Sequence, residues 1–136
     1  MTMPVGPLDH FTIRVEPAAL AAVRTFYVKA LGLVEGARPN FAFHGHWLYT
    51  GEQAVVHLAG VVQADETTVP NATGSLDHIA FKAAGLAEAR SRLRAAGISW
   101  REAPVPGMAL HQIFITDPCG VMLELTFDAA ELQALP

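Results

Sequence analysis

The stretch LDHFTIRV at residues 8–15 returns as LDHIAFKA at residues 76–83. Each copy opens with Leu-Asp-His and continues with alternating apolar and polar residues, which is typical of a strand with one buried face. In that alternation His10 and His78 lie on the polar faces of their strands. The recurrence predicts that one supersecondary unit occurs twice and that the two histidines converge on a shared cleft.

The repeat continues beyond the opening strands into a helix. Apolar residues recur at spacings of three and four in both copies, at Leu20, Val23, Tyr27 and Leu31 and at Leu86, Ala89, Leu93 and Ala96. Each helix is expected to end at a glycine, Gly32 or Gly97, because a left-handed C-terminal cap favours a residue without a Cβ.

The last part of each copy aligns without a gap. FHGHWLYTGEQAVVHLAG at residues 43–60 matches LHQIFITDPCGVMLELTF at residues 110–127. Both stretches are interpreted as hairpins, with turns at residues 50–53 and 117–120. In this alignment His57 corresponds to Glu124, and His44 corresponds to His111.

These elements predict an α+β fold of paired βαβββ modules. They are expected to form a curved mixed sheet around a metal cleft, with the helices outside. The 136 residues are the size of a single domain, 1–136. Module one spans about 7–60, the linker about 61–75 and module two about 76–128. Glycine and proline mark loops at 35–40 and 103–107.

Composition narrows the functional classes. The formal charge is −4, and the nine Lys and Arg residues form no basic stripe, so neither nucleic acid nor a membrane surface is an expected partner. There is no run of 18 apolar residues, and residues 1–7 lack the pattern of a secretory signal. The single cysteine, Cys119, fits a reducing compartment. We therefore expect a cytoplasmic protein.

Four residues at the repeated positions form the candidate metal site: His10, His78, His57 and Glu124. Two imidazoles and a carboxylate suit divalent Fe, Ni, Mn, Zn or Co and leave positions open for substrate. Glu124 is the lone acid in an apolar strand, so it needs a cation or strong hydrogen-bond donors. His57 and Glu124 are also the candidate catalytic residues, and His57 is either a fourth ligand or a general base. Any one of these histidines alone would more often be structural.

Other polar and aromatic residues have competing interpretations. For Asp9 and Asp77, exposed or capping roles are favoured over orienting a histidine, because strand alternation turns their side chains to the opposite face. His44 and His111 either line the cleft mouth or are solvated at the start of a strand, and His46 is expected to be structural. The aromatic residues that either shape a substrate pocket or pack in the core are Trp47, Tyr49 and Phe114.

At these motifs the sequence resembles the vicinal oxygen chelate superfamily, which includes glyoxalase I, type I extradiol dioxygenases and bleomycin-binding proteins. The likeness covers about residues 7–127. It rests on the two Leu-Asp-His motifs, on the helix end from Phe26-Tyr27 to Leu33, and on Asp117-Pro118-Cys119-Gly120 leading to Leu123-Glu124-Leu125. The resemblance implies a homodimer with a divalent metal held by His10, His78 and Glu124. His57 stands where many relatives carry Glu or Gln.

Three functions follow from the resemblance. The first is a metal-dependent enzyme acting on a small substrate with adjacent oxygens, either an extradiol-type dioxygenase or a glyoxalase-type lyase. The dioxygenase is slightly favoured, because an enediolate mechanism would require a second metal-adjacent carboxylate. The second is thiol transfer to a phosphonate antibiotic, for which only Arg14 and Lys82 are candidate cations on the inner face. The third is a metal-free drug-binding protein, which commonly lacks the ligands present here.

Overall fold

The computed structural model describes residues 4–66 and 73–133. These residues fall into two compact units: residues 4–28 and 32–66 belong to the first, and residues 29–31 and 73–133 belong to the second. The predicted linker, 61–75, lies partly at 67–72, outside the described residues. Within the described ranges, neither α-helix is long and apolar enough to cross a membrane.

The first unit has the predicted order of strand, helix and three strands. Its sheet is mixed, with strand order β1-β4-β3-β2; β1 and β4 are parallel, and the other neighbours are antiparallel. The elements are β1 (Phe11–Arg14), α1 (Leu20–Leu31), β2 (Val34–Gly36), β3 (Gly45–Thr50) and β4 (Gln53–Ala59).

The second unit repeats this topology. Its strand order is β5-β8-β7-β6, again with one parallel pair, β5 and β8. The elements are β5 (Ile79–Lys82), α2 (Leu86–Ala95), β6 (Arg101–Pro104), β7 (Leu110–Thr116) and β8 (Met122–Asp128). The α+β fold of two βαβββ modules is therefore confirmed, and each module forms its own four-stranded mixed sheet.

The strand registers confirm the hairpin alignment around His57 and Glu124, although the register of the first hairpin shifts between Leu48 and Tyr49 and that of the second hairpin does not. His57 pairs with Thr12 on one side and with Trp47 on the other. Glu124 pairs with Ala80 and Phe114, which are the matching residues of the second module. His57 and Glu124 therefore occupy equivalent places in the two sheets.

In each unit the alternating strand pattern separates a buried face from a more exposed one. In β1, Ile13 is buried whereas Thr12 and Arg14 are exposed. The helix covers the buried face: Tyr27 of α1 lies against Phe11, with ring centroids 6.5 Å apart. Burying one face against a helix leaves the other face of the sheet available for a site.

Both predicted helix ends are confirmed. Gly32, directly after α1, has φ 69°, and Gly97, two residues after α2, has φ 68°. A residue with a Cβ would be strained in this left-handed conformation.

Two loop predictions were partly wrong. Glu35 and Gly36 belong to β2, and Ala103 and Pro104 belong to β6. Both are short edge strands, where a glycine or a proline is tolerated because only one side of the strand is hydrogen-bonded to the sheet. The opening strands are also shorter than predicted, since β1 and β5 each begin one residue after the histidine of Leu-Asp-His.

Candidate metal centre

The predicted ligands come together as two pairs, one in each unit. His10, directly before β1, meets His57 of β4; His78, directly before β5, meets Glu124 of β8. Each pair joins the parallel strands at the centre and edge of its sheet, so the two pairs are related by the internal repeat.

The first pair is part of a column of three stacked rings. The ring of His57 lies between His10 and Trp47, with centroids 3.9 Å from each and ring planes inclined by 12° and 11°. We call His10, His57 and Trp47 the ring column. Both faces of His57 are covered, which restricts rotation of its imidazole.

The hydrogen bonding of His57 leaves one nitrogen available as an acceptor. Nε2 lies 3.0 Å from the carbonyl oxygen of Ala54 and donates its hydrogen to it, so Nδ1 carries the lone pair of the neutral ring. Burial, followed by the nearby His10, lowers the pKa of His57. The imidazole therefore favours its neutral form.

The second pair is built around a buried carboxylate. Glu124 is only 6% exposed, its Oε2 accepts a hydrogen bond of 2.7 Å from the Thr126 hydroxyl, and its Oε1 is 3.4 Å from Nε2 of His78. A carboxylate removed from water requires a hydrogen-bond donor, and the Thr126 hydroxyl is one. The sequence-based inference that Glu124 needs a donor or a cation is confirmed.

The aspartates of the two Leu-Asp-His motifs orient the histidines. In both motifs Nδ1 of the histidine donates to the adjacent carboxylate at 2.7 Å, from His10 to Asp9 and from His78 to Asp77. Both aspartates are highly exposed, so the exposed role that was favoured for them is confirmed, and the orienting contact exists beside it. Strand alternation does not apply because both residues precede the strand. A protonated Nδ1 leaves Nε2 free to bind a metal.

The donor chemistry fits a divalent metal ion. Two ligands each about 2.1 Å from a tetrahedrally coordinated ion are separated by about 3.4 Å, and His78 Nε2 and Glu124 Oε1 are 3.4 Å apart. The rings of His10 and His57 are not arranged to bind one ion together. A metal ion lies in the plane of the imidazole that binds it, and these two ring planes are nearly parallel with centroids 3.9 Å apart, so they do not meet at one ion. Over residues 4–66 and 73–133, no group of three or more His, Cys, Asp or Glu side chains is assembled as a metal site.

The remaining histidines lie elsewhere. His111 is buried, and its Nε2 donates to Glu102 at 2.6 Å, so neither interpretation of it, cleft mouth or solvated strand start, was right. Its strand position places it with the buried residues Ile113 and Ile115. His44 is exposed, and His46 is bonded to Glu35, consistent with the structural role predicted for it.

The aromatic residues left undecided by the sequence are now placed. Trp47 and Phe114 occupy matching positions beside His57 and Glu124. Trp47 and Tyr49 also line an open cavity of about 780 Å³ in the first unit, together with His10, His57 and Asp9. Arg101 was missed by the sequence reasoning: its guanidinium carbon lies 4.0 Å from the Phe114 ring centroid. The register of β6 against Phe114 would have indicated it.

The paired βαβββ fold and the histidine and glutamate at its repeated positions define the class of vicinal oxygen chelate proteins. Residues 8–125 match the Glyoxalase/Bleomycin resistance protein/Dioxygenase superfamily, and the chain belongs to that superfamily. No significant match is found among curated protein sequences.

Solved structures show the same fold at low sequence identity. A glyoxalase family protein from Bacillus anthracis aligns with a TM-score of 0.72 and 21% identity, covering 94% of this chain and 99% of the other. A mutant of the fosfomycin resistance protein FosX from Listeria monocytogenes, in complex with Mn(II) and 1S,2S-dihydroxypropylphosphonic acid, aligns at 0.66 and 18%, covering 95% and 97%. Lactoylglutathione lyase from Agrobacterium tumefaciens aligns at 0.65 and 19%, covering 94% and 98%.

Proposed function

We propose that this protein is a divalent-metal-dependent enzyme acting on a small substrate with two adjacent oxygen atoms, and that its reaction is extradiol-type ring opening of a catechol. The observation that carries the proposal is the ring column. At the position where a second acid would complete a symmetric site, His57 is held in place with Nδ1 free to accept a proton.

His10, His78 and Glu124 are the proposed metal ligands. Nε2 of each histidine is left free by the neighbouring aspartate, and Glu124 is held by Thr126. His57 was predicted as either a ligand or a base. Its nearly parallel stacking on His10 favours the base, because both rings cannot lie in the plane of one ion without one of them turning.

The metal, when bound, would hold the two substrate oxygens and, as Fe(II), supply the redox chemistry needed for reaction with O₂. The protein residues do the rest. Nδ1 of His57 accepts the proton of one catechol hydroxyl, while the Ala54 carbonyl holds the opposite side of the ring. Trp47 restrains His57 from its second face, which preserves the direction of this lone pair.

The test is oxygen uptake by protein loaded anaerobically with Fe(II) and offered a panel of catechols. Wild type should consume O₂, and His57→Phe, which keeps a flat ring in the column but removes both nitrogens, should lower kcat about 100-fold or more at unchanged metal content. His44→Phe is the matched control because His44 is exposed.

Turnover of a methylglyoxal hemithioacetal without O₂ uptake would replace the proposal with a glyoxalase-type lyase. Failure to bind any of Fe, Ni, Mn, Zn or Co would overturn the enzyme proposal and leave the metal-free drug-binding function. Full activity of His57→Phe would show that His57 is not the base.

We further propose that the protein is a cytoplasmic homodimer. Exposed apolar side chains support an interface: Val5, Leu8 and Met108 are 75%, 72% and 61% exposed in the single chain. Light scattering coupled to size-exclusion chromatography should give twice the chain mass of 14.5 kDa. A mass of one chain at micromolar concentration would contradict the dimer.

A further inference from the structure

One face of the second sheet carries positive charge around Glu124. The register places Arg101, Phe114, Glu124 and Ala80 in one row across the four strands, and Ala103, Gln112, Thr126 and Lys82 in the next row. Directly paired residues point to the same side of a sheet. We call these eight residues the open face, since the opposite side carries buried residues such as Leu123 and Leu125.

Arg101 has an available charge at one end of this face. The guanidinium carbon of Arg101 lies 4.0 Å from the centroid of the Phe114 ring, and Arg101 is exposed. Among the described residues, no carboxylate lies within ion-pair distance of it, whereas Arg90 on the other side of the sheet is paired with Glu102. Stacking on an aromatic ring fixes the plane of a guanidinium but leaves its N–H edges able to donate.

The distance from Arg101 to Glu124 suits a small molecule. The two residues lie on strands separated by one strand, so their Cα atoms are about 10 Å apart at a strand spacing of about 4.8 Å. The guanidinium covers part of this gap because it lies over Phe114, the residue between them. The distance between a group bound by Arg101 and the Glu124 carboxylate, our proposed metal ligand, would therefore be no more than the width of one aromatic ring.

Lys82 supplies a second cation on the same face. It pairs with Thr126, whose hydroxyl donates to Glu124, and it is exposed. In the described part of the chain its ammonium group has no carboxylate partner. A chain with a formal charge of −4 thus presents two cations beside its buried carboxylate.

The first module lacks this arrangement. On the edge strand of the first module, Gly36 pairs with Trp47; on the edge strand of the second module, Arg101 pairs with Phe114. The first module therefore has a glycine at the position of Arg101. The residue matching Lys82 is Arg14, which is bound to Glu66 at 2.7 Å. Among the described residues, an unpaired cation at these two sheet positions therefore occurs in the second repeat alone, and it is not required by the fold that both repeats share.

We propose that the open face binds an anionic group of the substrate, a carboxylate or a phosphonate, with Arg101 as the main specificity-determining residue and Lys82 assisting. This inference rests on the proposed function, because it takes Glu124 to be a metal ligand. The substrate class becomes a catechol, or another compound with adjacent oxygens, that also carries a negatively charged substituent.

The first test compares catechol with 3,4-dihydroxybenzoate in the Fe(II)-loaded enzyme. Wild type should prefer the carboxylate, and Arg101→Gln should reduce kcat/KM for it about 10- to 100-fold, mainly through KM, while catechol itself is unaffected. Arg101→Lys should retain part of the preference. The control is Arg94→Gln, which removes an exposed arginine that also faces a ring, Trp100, but lies on α2.

The second test is independent of turnover: calorimetric titration with benzoate, phenylphosphonate and neutral benzamide. Benzoate or phenylphosphonate should bind more tightly than benzamide, and Arg101→Gln should abolish this difference in affinity. Whichever anion binds more tightly identifies the substrate's charged group as a carboxylate or a phosphonate. Equal binding of all three, or a difference that survives Arg101→Gln, overturns the inference. Turnover of charged and neutral catechols with equal kcat/KM also overturns the inference but leaves the proposed function intact. Absence of both metal binding and turnover overturns the proposed function itself.

Discussion

Replacing Glu102 with glutamine should remove a large electrostatic contribution to stability. The Glu102 carboxylate accepts two hydrogen bonds from Arg90, at 3.0 and 2.7 Å, one from Trp100 at 2.7 Å and one from His111 at 2.6 Å. The Arg90 guanidinium, followed by the His111 and Trp100 donors, outweighs burial and lowers the pKa of Glu102 from 4.5 to about 2. The network fastens α2 to the edge strand β6.

The magnitude follows from this shift. One pKa unit corresponds to about 1.4 kcal/mol. The lowering of the Glu102 pKa therefore sets an upper limit of roughly 3 kcal/mol on the free energy of unfolding that Glu102→Gln loses at pH 7. Because the folded-state pKa is depressed, this stabilisation is fully present above about pH 5 and is lost as the pH falls from 4.5 towards 2.

The assay is urea denaturation of wild type and Glu102→Gln between pH 2.5 and pH 7. The free-energy difference should be roughly 2–3 kcal/mol at pH 7 and should shrink steadily below about pH 4.5. Glu16→Gln should show little difference at any pH, because Glu16 is exposed and its side chain does not cap the short 3-10 helix at Pro17–Ala19. A pH-independent difference, or one below about 0.5 kcal/mol at pH 7, would refute the assignment of charge stabilisation to Glu102.

Three further outcomes are expected. Asp77→Asn should weaken metal affinity about 10- to 100-fold in a competition titration, because the carboxylate orients its histidine, whereas Asp65→Asn, at an exposed loop position, should not. Burial and Asp117 raise the pKa of Cys119 to about 11, so alkylation by iodoacetamide at pH 8 should be on the order of 100-fold slower than for a free thiol; a rate equal to that of glutathione would contradict it. Leu93→Ala, at a fully buried helix residue, should cost about 2–5 kcal/mol in the free energy of unfolding, and a loss below about 1 kcal/mol would show that α2 is not packed in the core.

The fold was predictable because the sequence pattern of each element occurs twice, once in each copy of the repeat. Alternation in residues 8–15 and 76–83, and the glycines after both helices, gave the same element order twice. The short edge strands were less predictable. β2 and β6 are stabilised by pairing with β3 and β7 rather than by their own sequence, so glycine and proline at their ends looked like loop signals.

The site was predictable as far as the repeat extends. The hairpin alignment made His57 the counterpart of Glu124, and the strand registers give the two residues equivalent positions in their own sheets. Contacts made by side-chain rotation were not predictable. The bond from His10 to Asp9 forms outside the regular strand, the stacking of Trp47 on His57 depends on cross-strand pairing, and the burial of His111 follows from its network with Glu102.

The most direct test of the central claim is the metal content of purified protein offered Fe, Ni, Mn, Zn or Co, measured by elemental analysis for wild type and four variants. Wild type should bind about one ion per chain, His10→Ala, His78→Ala and Glu124→Ala should lose it, and His57→Phe should retain it. Wild type without bound metal would contradict the account, and loss of metal in His57→Phe would show that His57 is a ligand rather than the base.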